Sequence, residues 1–175
     1  MTIGWIGTSG GFKYLYIVEN VIKELLKKYN NVQFLIVSNE RPKFKSQIDY
    51  IFYQWEQDLE IQHFHEVDIG IMPLTNDEWS LGKCSYKMLL YMSCEIPVVV
   101  SSIGMNNEVL SLGEIGFGAQ NNDEEWFTRL EYLIIHEDER IKMGKRGREV
   151  VVEYFSLEFV AAKLVSVVFD TINKN

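Results

Sequence analysis

Short apolar runs alternate along this chain with longer stretches of helical periodicity. The run Ile-Gly-Trp-Ile-Gly at residues 3–7 reads as a first strand, followed by the small-residue turn Thr-Ser-Gly-Gly at residues 8–11. Leu15, Val18, Val21, Ile22, Leu25, Leu26 and Tyr29 recur at helical spacing and predict a helix over residues 14–29. Further strands are predicted at residues 32–37, 48–55, 68–74, 97–101 and 116–119. Helices are predicted at residues 57–67, 85–94, 106–112, 123–136, 138–154 and 156–172, with loops at 41–45 and 75–82.

This alternation predicts a single α/β domain over residues 1–175: a Rossmann-like parallel sheet with helices on both faces and extra helices at the C-terminal end. Such sheets bind ligands outside the carboxyl ends of their strands. The segments to search are therefore residues 7–13, 39–45, 75–87 and 101–107, with Trp55.

Composition narrows the partners. The chain has 175 residues, enough for one buried core. Its formal net charge of −8 argues against nucleic acid, which needs a basic face. Two cysteines, Cys84 and Cys94, give no disulfide framework and suit a cytoplasmic location. No run approaches the roughly 20 apolar residues of a membrane span. No basic-then-apolar signal pattern opens the chain.

Against this acidic background Gly82-Lys83-Cys84-Ser85-Tyr86-Lys87 stands out, at the predicted start of a helix after a buried strand. A helix start offers unpaired N–H groups and a positive dipole end. Gly82 permits close backbone approach, and Ser85 carries a hydroxyl to donate. Lys83 and Lys87, four apart, are expected on one helix face. From spacing alone two readings stand: solvated lysines on an exposed helix start, or a cradle for a diphosphate. The turn at residues 7–11 followed by Lys13 is similarly open. It is neither a G-x-G-x-x-G fingerprint nor a Walker A loop, and a tight turn between strand and helix explains it as well as a phosphate loop does.

Several stretches together resemble a known family. They are residues 3–8 (Ile-Gly-Trp-Ile-Gly-Thr), residues 68–74, the run from Trp79 to Ser101, residues 103–109, the pair Glu125-Trp126 and the basic stretch 140–148. They resemble the C-terminal domain of family 4 glycosyltransferases of the GT-B fold, in a bacterial branch often attached to surface-polysaccharide synthesis. The resemblance spans nearly the whole chain. It implies a nucleoside-diphosphate sugar as donor substrate, transfer with retention of configuration, a glycan or lipid-linked acceptor, and no metal or other cofactor. Fixed cations and backbone donors would stabilise the leaving diphosphate.

The resemblance also distributes roles. A family Lys that contacts the diphosphate falls on Lys13, and the accompanying Arg position is Thr8. Lys83 or Lys87 would replace the missing charge. Gly82, Cys84 and Ser85 complete the expected diphosphate site. Two family carboxylates, for the donor sugar and the ribose, fall on Gly82 and Leu90, so both are absent. Asp77 and Glu78, in the preceding loop, are the substitute candidates for the sugar hydroxyls. Trp55 falls near the base. The family's N-terminal, acceptor-binding domain is missing from this sequence, which reads as the donor half of a longer enzyme, inactive or nearly so alone. A non-catalytic nucleotide-sugar-binding subunit and a GT-B nucleotide-sugar epimerase are the alternatives.

Other residues carry blander expectations. Trp79 is expected to anchor its loop hydrophobically. His63 and His65, two apart, do not converge on a metal from one helix. Lys142, Lys145, Arg146 and Arg148 form a basic run, read as a solvated face or as a peripheral contact with anionic lipid at the inner face of a membrane.

Overall fold

Neighbouring residues in each strand turn to opposite faces of the sheet, and in this chain both faces are apolar. A computed structural model of the chain describes residues 1–120 and 122–172. Among the described residues, β1 (Thr2–Ile6), β2 (Gln33–Ser38), β3 (Ile51–Gln54), β4 (Ile69–Met72), β5 (Val98–Ser101) and β6 (Gly116–Ala119) form one parallel sheet. Its strand order is β3-β2-β1-β4-β5-β6. The chain is thus an α/β protein of Rossmann-like topology, with its order reversing between β1 and β4.

One face carries Ile3, Trp5, Phe34, Ile36, Ile69 and Ile71. It is covered by α1 (Phe12–Leu15), α2 (Glu19–Lys28) and α7 (Asp123–Ile135), whose Leu15, Ile22, Leu25, Trp126 and Leu130 are buried. The opposite face carries Ile6, Leu35, Val37, Met72, Val98 and Val100. It is covered by α3 (Glu60–Phe64), α5 (Tyr86–Ser93), α6 (Gly104–Leu110) and α8 (Glu137–Phe155). The helix α9 (Leu157–Ile172) follows and buries none of its residues. Among the described residues, no helix is long and apolar enough to cross a membrane.

The switch point is built by one side chain. β1 and β4 pair only through Ile3↔Ile69 and Gly4↔Gly70, then separate. Tyr91 of α5 lies over the two facing glycines; a Cβ at Gly70 would stand 2.4 Å from its ring. Its hydroxyl donates to Gly4 O (3.0 Å) and accepts from Ile6 N (2.9 Å). The strand backbone left open by the separation is thereby satisfied.

The structure revises several predicted boundaries. The helix expected at 14–29 begins earlier, with a 3-10 turn at Ser9–Gly11 running into α1. A second 3-10 turn, Tyr16–Val18, precedes α2 and coincides with the β-branched pair Ile17-Val18. The third strand covers only Ile51–Gln54, leaving Ile48 in the core before it and Trp55 beyond it. The loop predicted at 75–82 contains a one-turn helix, α4 (Glu78–Leu81), started by Asp77, whose carboxylate accepts from Ser80 N at 2.7 Å.

Candidate functional site

Two cavities adjoin at the carboxyl ends of β1 and β4 and share Tyr86 and Lys87. The first, about 350 Å³, is lined by Trp5, Gly11, Tyr14, residues 72–74 and residues 82–87. The second, about 260 Å³, is lined by Ile6, Gly7, Thr8, Asn39, Trp55, Glu60, Phe64 and Leu90 besides the shared pair.

Lys87 stands at their junction. Its Nζ lies 4.2 Å from the centre of the Trp5 ring, and a Cβ at Gly7 would come within 2.5 Å of it. The same Trp5 ring would meet a Cβ at Gly11 at 2.9 Å. The glycines at 7 and 11 therefore make room for an indole and an ammonium. The loop is also less open to a ligand than its composition suggests. Asn39 Oδ1 accepts from Ser9 N (2.7 Å), and Gly11 N donates to Thr8 O (2.8 Å).

The side chain of Lys87 keeps some exposure, yet its ammonium is so closely surrounded that desolvation dominates its titration. Burial first, then the nearby charge of Lys83, pull Lys87 down to about 7. A bound anion would oppose this shift, because a nearby negative charge favours the protonated form.

Lys83 Nζ sits 4.2 Å from the centre of the Tyr14 ring, and Lys13 Nζ 4.7 Å from the same ring. The hydroxyls of Tyr14 and Ser80 are buried, and neither completes a hydrogen bond of good geometry. Burial acts to raise the Tyr14 phenol, but Ser80 and the Lys13 and Lys83 ammoniums outweigh it and hold it below its ordinary value. Three ammoniums thus rest against two aromatic rings, contacts worth about 0.5–2 kcal/mol each.

The expectation that Lys83 and Lys87 share a helix face is corrected. Lys83 lies ahead of α5, and both lysines line the first cavity. Ser85 is left-handed (φ 54°, ψ 23°), a sparsely populated region for a side-chain-bearing residue. Its hydroxyl is not offered to the cleft: it is buried and donates to Asn106 Oδ1 at 2.7 Å. Asn106 in turn donates to Ser101 O (2.9 Å), and the Ser101 hydroxyl donates to Leu74 O (2.9 Å). This network fixes the entry to α5 from inside the protein. Because the Ser85 side chain is committed elsewhere, the first turn of α5 has no side-chain cap where it borders both cavities.

The remaining expected site residues scatter. Gly82 and Cys84 line the first cavity, Cys84 with an exposed free thiol. Gly82 has φ −79°, and a Cβ there would meet nothing nearer than 3.7 Å, so close backbone approach is not its structural reason. Thr8 lines the second cavity, with Trp55 and Leu90. Lys13 is exposed and lines neither. Asp77 is committed as the cap of α4 and accepts from the Thr75 hydroxyl. That hydrogen bond, and the one from Ser80 N, hold its carboxyl below the usual range. Glu78 is exposed and also lines neither cavity. Trp79 is no anchor: Ser80 is the buried residue of α4, and Trp79 is turned outward, 75% exposed.

Outside the cleft, His63 is buried and stacked on Tyr53 (4.7 Å between ring centres), while His65 is exposed. The basic run on α8 is largely engaged. Lys142 faces Glu114 and Glu139, Arg146 pairs with Glu149 (2.8 Å), and Arg148 donates to Ser93 O. Tyr14, Asn106 and Glu60 also belong to the site or its support, and no sequence motif singles them out. Glu60 and Phe64 are four apart on α3, a spacing that could have placed both on the second cavity.

The family profile of the Glycosyl transferases group 1 matches residues 2–136, most of the chain, which therefore belongs to that family. Solved structures show the same fold at low identity. Anabaena Alr3699/HepE, solved in complex with UDP, is 14% identical, with a TM-score of 0.77 over 97% of this chain and 48% of that one. A TarM variant from S. aureus, in complex with fondaparinux, alpha-GlcNAc-glycerol and UDP, is 16% identical, with a TM-score of 0.70 over 94% of this chain and 34% of that one. The C-terminal domain of a glycosyl transferase group 1 family protein (LpcC) from Francisella tularensis is 16% identical, with a TM-score of 0.64 over 89% of this chain and 86% of that one. This chain spans about a third of TarM and about half of HepE. A comparison with curated protein sequences gives no match.

Proposed function

We propose that this chain is the donor-binding half of a retaining family 4 glycosyltransferase, taking a sugar from a nucleoside-diphosphate donor to a glycan or lipid-linked acceptor. The observation that carries this reading is the position of Lys87. Its ammonium lies at the junction of two cavities, beside the uncapped first turn of α5. A diphosphate there would meet Lys87, Lys83 and backbone N–H groups together. The nucleoside would extend into one cavity and the sugar into the other. As the sugar departs, charge builds on the diphosphate, and these fixed donors would stabilise it. The solved relatives with UDP support the ligand class. The acceptor and its binding domain would come from a second Rossmann-like domain, since two halves are needed to exclude water.

One observation favours a second reading. Among the described residues, no carboxylate lines the first cavity, where the donor sugar would sit. A domain that holds a nucleotide sugar without turning it over would look the same.

Calorimetry with nucleoside diphosphates tests the proposal. Micromolar to millimolar binding is expected, lost in Lys87→Ala and weakened in Lys83→Ala. Equal affinity in all three proteins would overturn the cradle.

A further inference from the structure

The second cavity is mostly apolar, with Ile6, Phe64, Leu90 and the Trp55 ring in its wall. Its polar groups are unequal. The Asn39 amide is already spent on the first turn: its oxygen accepts from Ser9 N and its nitrogen donates to Ser9 Oγ (3.1 Å). Lys87 supplies a cation at one end. Glu60 is the one carboxylate among the described residues that line either cavity.

Two contacts hold Glu60 there. It opens α3, whose next turn places Phe64 in the same cavity wall and buries it. Trp55, just past β3, donates its indole N–H to Glu60 Oε1 at 3.1 Å. The indole thus fixes one carboxylate oxygen and leaves Oε2 with its acceptor capacity. An anionic acceptor in an apolar pocket, beside a cation at a phosphate position, suits a ligand part that is neutral and rich in hydroxyl donors. A carboxylate can take two neighbouring hydroxyls at once. Leu90, on the same wall, offers only methyl groups.

We infer that Glu60 recognises the vicinal hydroxyls of the donor's ribose, oriented by Trp55, and that the second cavity holds the nucleoside. The inference rests on the nucleotide-diphosphate reading of the paired cavities. It makes the domain selective for ribonucleotides over their 2′-deoxy counterparts, because a carboxylate covered by the ligand and left without its donor is penalised.

The test uses calorimetry with uridine, guanosine and adenosine diphosphates, their 2′-deoxy forms, and inorganic pyrophosphate. The wild-type chain is expected to prefer the ribose form of its best nucleotide by about tenfold or more. Glu60→Ala is expected to reduce that preference to within about twofold while leaving pyrophosphate affinity unchanged. Glu60→Gln, which keeps an acceptor for the Trp55 indole, should fall between them. Thermal melting establishes that each variant is folded. A preference that survives in Glu60→Ala, or one that the wild type never shows, overturns the role of Glu60 while the diphosphate site stands. Failure of the wild type to bind any nucleotide or pyrophosphate overturns the underlying reading, and this inference with it.

Discussion

The Lys87 ammonium and the Trp5 ring are 4.2 Å apart, with Gly7 closing over the contact. The aromatic face compensates the charge only partly, and Lys87 titrates at about 7. An anion requires the protonated form. With a nucleoside-diphosphate sugar, whose diphosphate does not titrate near neutrality, affinity is therefore expected to fall as pH rises from 6 to 9. Binding near pH 7 should take up protons. Calorimetry in buffers of different ionisation enthalpy measures that uptake, and a pH-independent affinity would contradict it.

The same lysine makes a stability prediction of opposite sense. Unfolded, it titrates near its ordinary 10.5; folded, at about 7. Between those values the unfolded chain binds more protons, so this residue makes stability rise with pH. Its full cost is present below pH 7. Lys87→Met should raise the melting temperature by about 2–4 °C at pH 6, with the gain shrinking as pH rises towards 10.5. A gain that grows with pH would refute the assignment.

Asn106 holds Ser85 in its left-handed conformation from within the core. Asn106→Ala leaves the Ser85 hydroxyl and the Ser101 carbonyl without this partner. A loss of about 1–3 kcal/mol in chemical denaturation is expected. Weaker diphosphate binding should accompany it, since the first turn of α5 loses its fixed aim.

Tyr91→Phe removes one hydroxyl and two hydrogen bonds at the split between β1 and β4. The Ile6 amide is then buried without that partner. The expected cost is again about 1–3 kcal/mol, read as a shift in denaturation midpoint at constant slope. An unchanged midpoint would show that the strand backbone finds another acceptor.

Cys84 is exposed in the first cavity, whereas Cys94 is partly buried. Alkylation by iodoacetamide should therefore strike Cys84 first, and a bound nucleoside diphosphate should slow it. Mass spectrometry of the labelled chain locates the adduct. Labelling at an equal rate with and without nucleotide would place the ligand elsewhere.

The sheet was readable in the sequence because a parallel strand buried on both faces is a continuous apolar run. Ile69–Met72 and Val98–Ser101, buried at every position, show this plainly. Of the candidate site, the sequence marked residues 82–87, which line the first cavity. What escaped the sequence depends on contacts between distant segments. Nothing local to Tyr91 tells that its hydroxyl will bridge Gly4 and Ile6, 87 and 85 positions away. Asn106 lies 21 positions from Ser85. Trp79 was misread because a one-turn helix, begun by Asp77, rotates it outward. Lys83 was misread because the left-handed residue 85 falls between it and the helix.

Gly82 is open space. Its backbone angles suit any residue, and its missing Cβ has no neighbour within 3.7 Å. The gap in the first cavity is therefore chemical rather than steric. A carboxylate could be installed there by one substitution, without moving the chain. The scaffold thus admits, at one position of this wall, a change of charge without a change of shape.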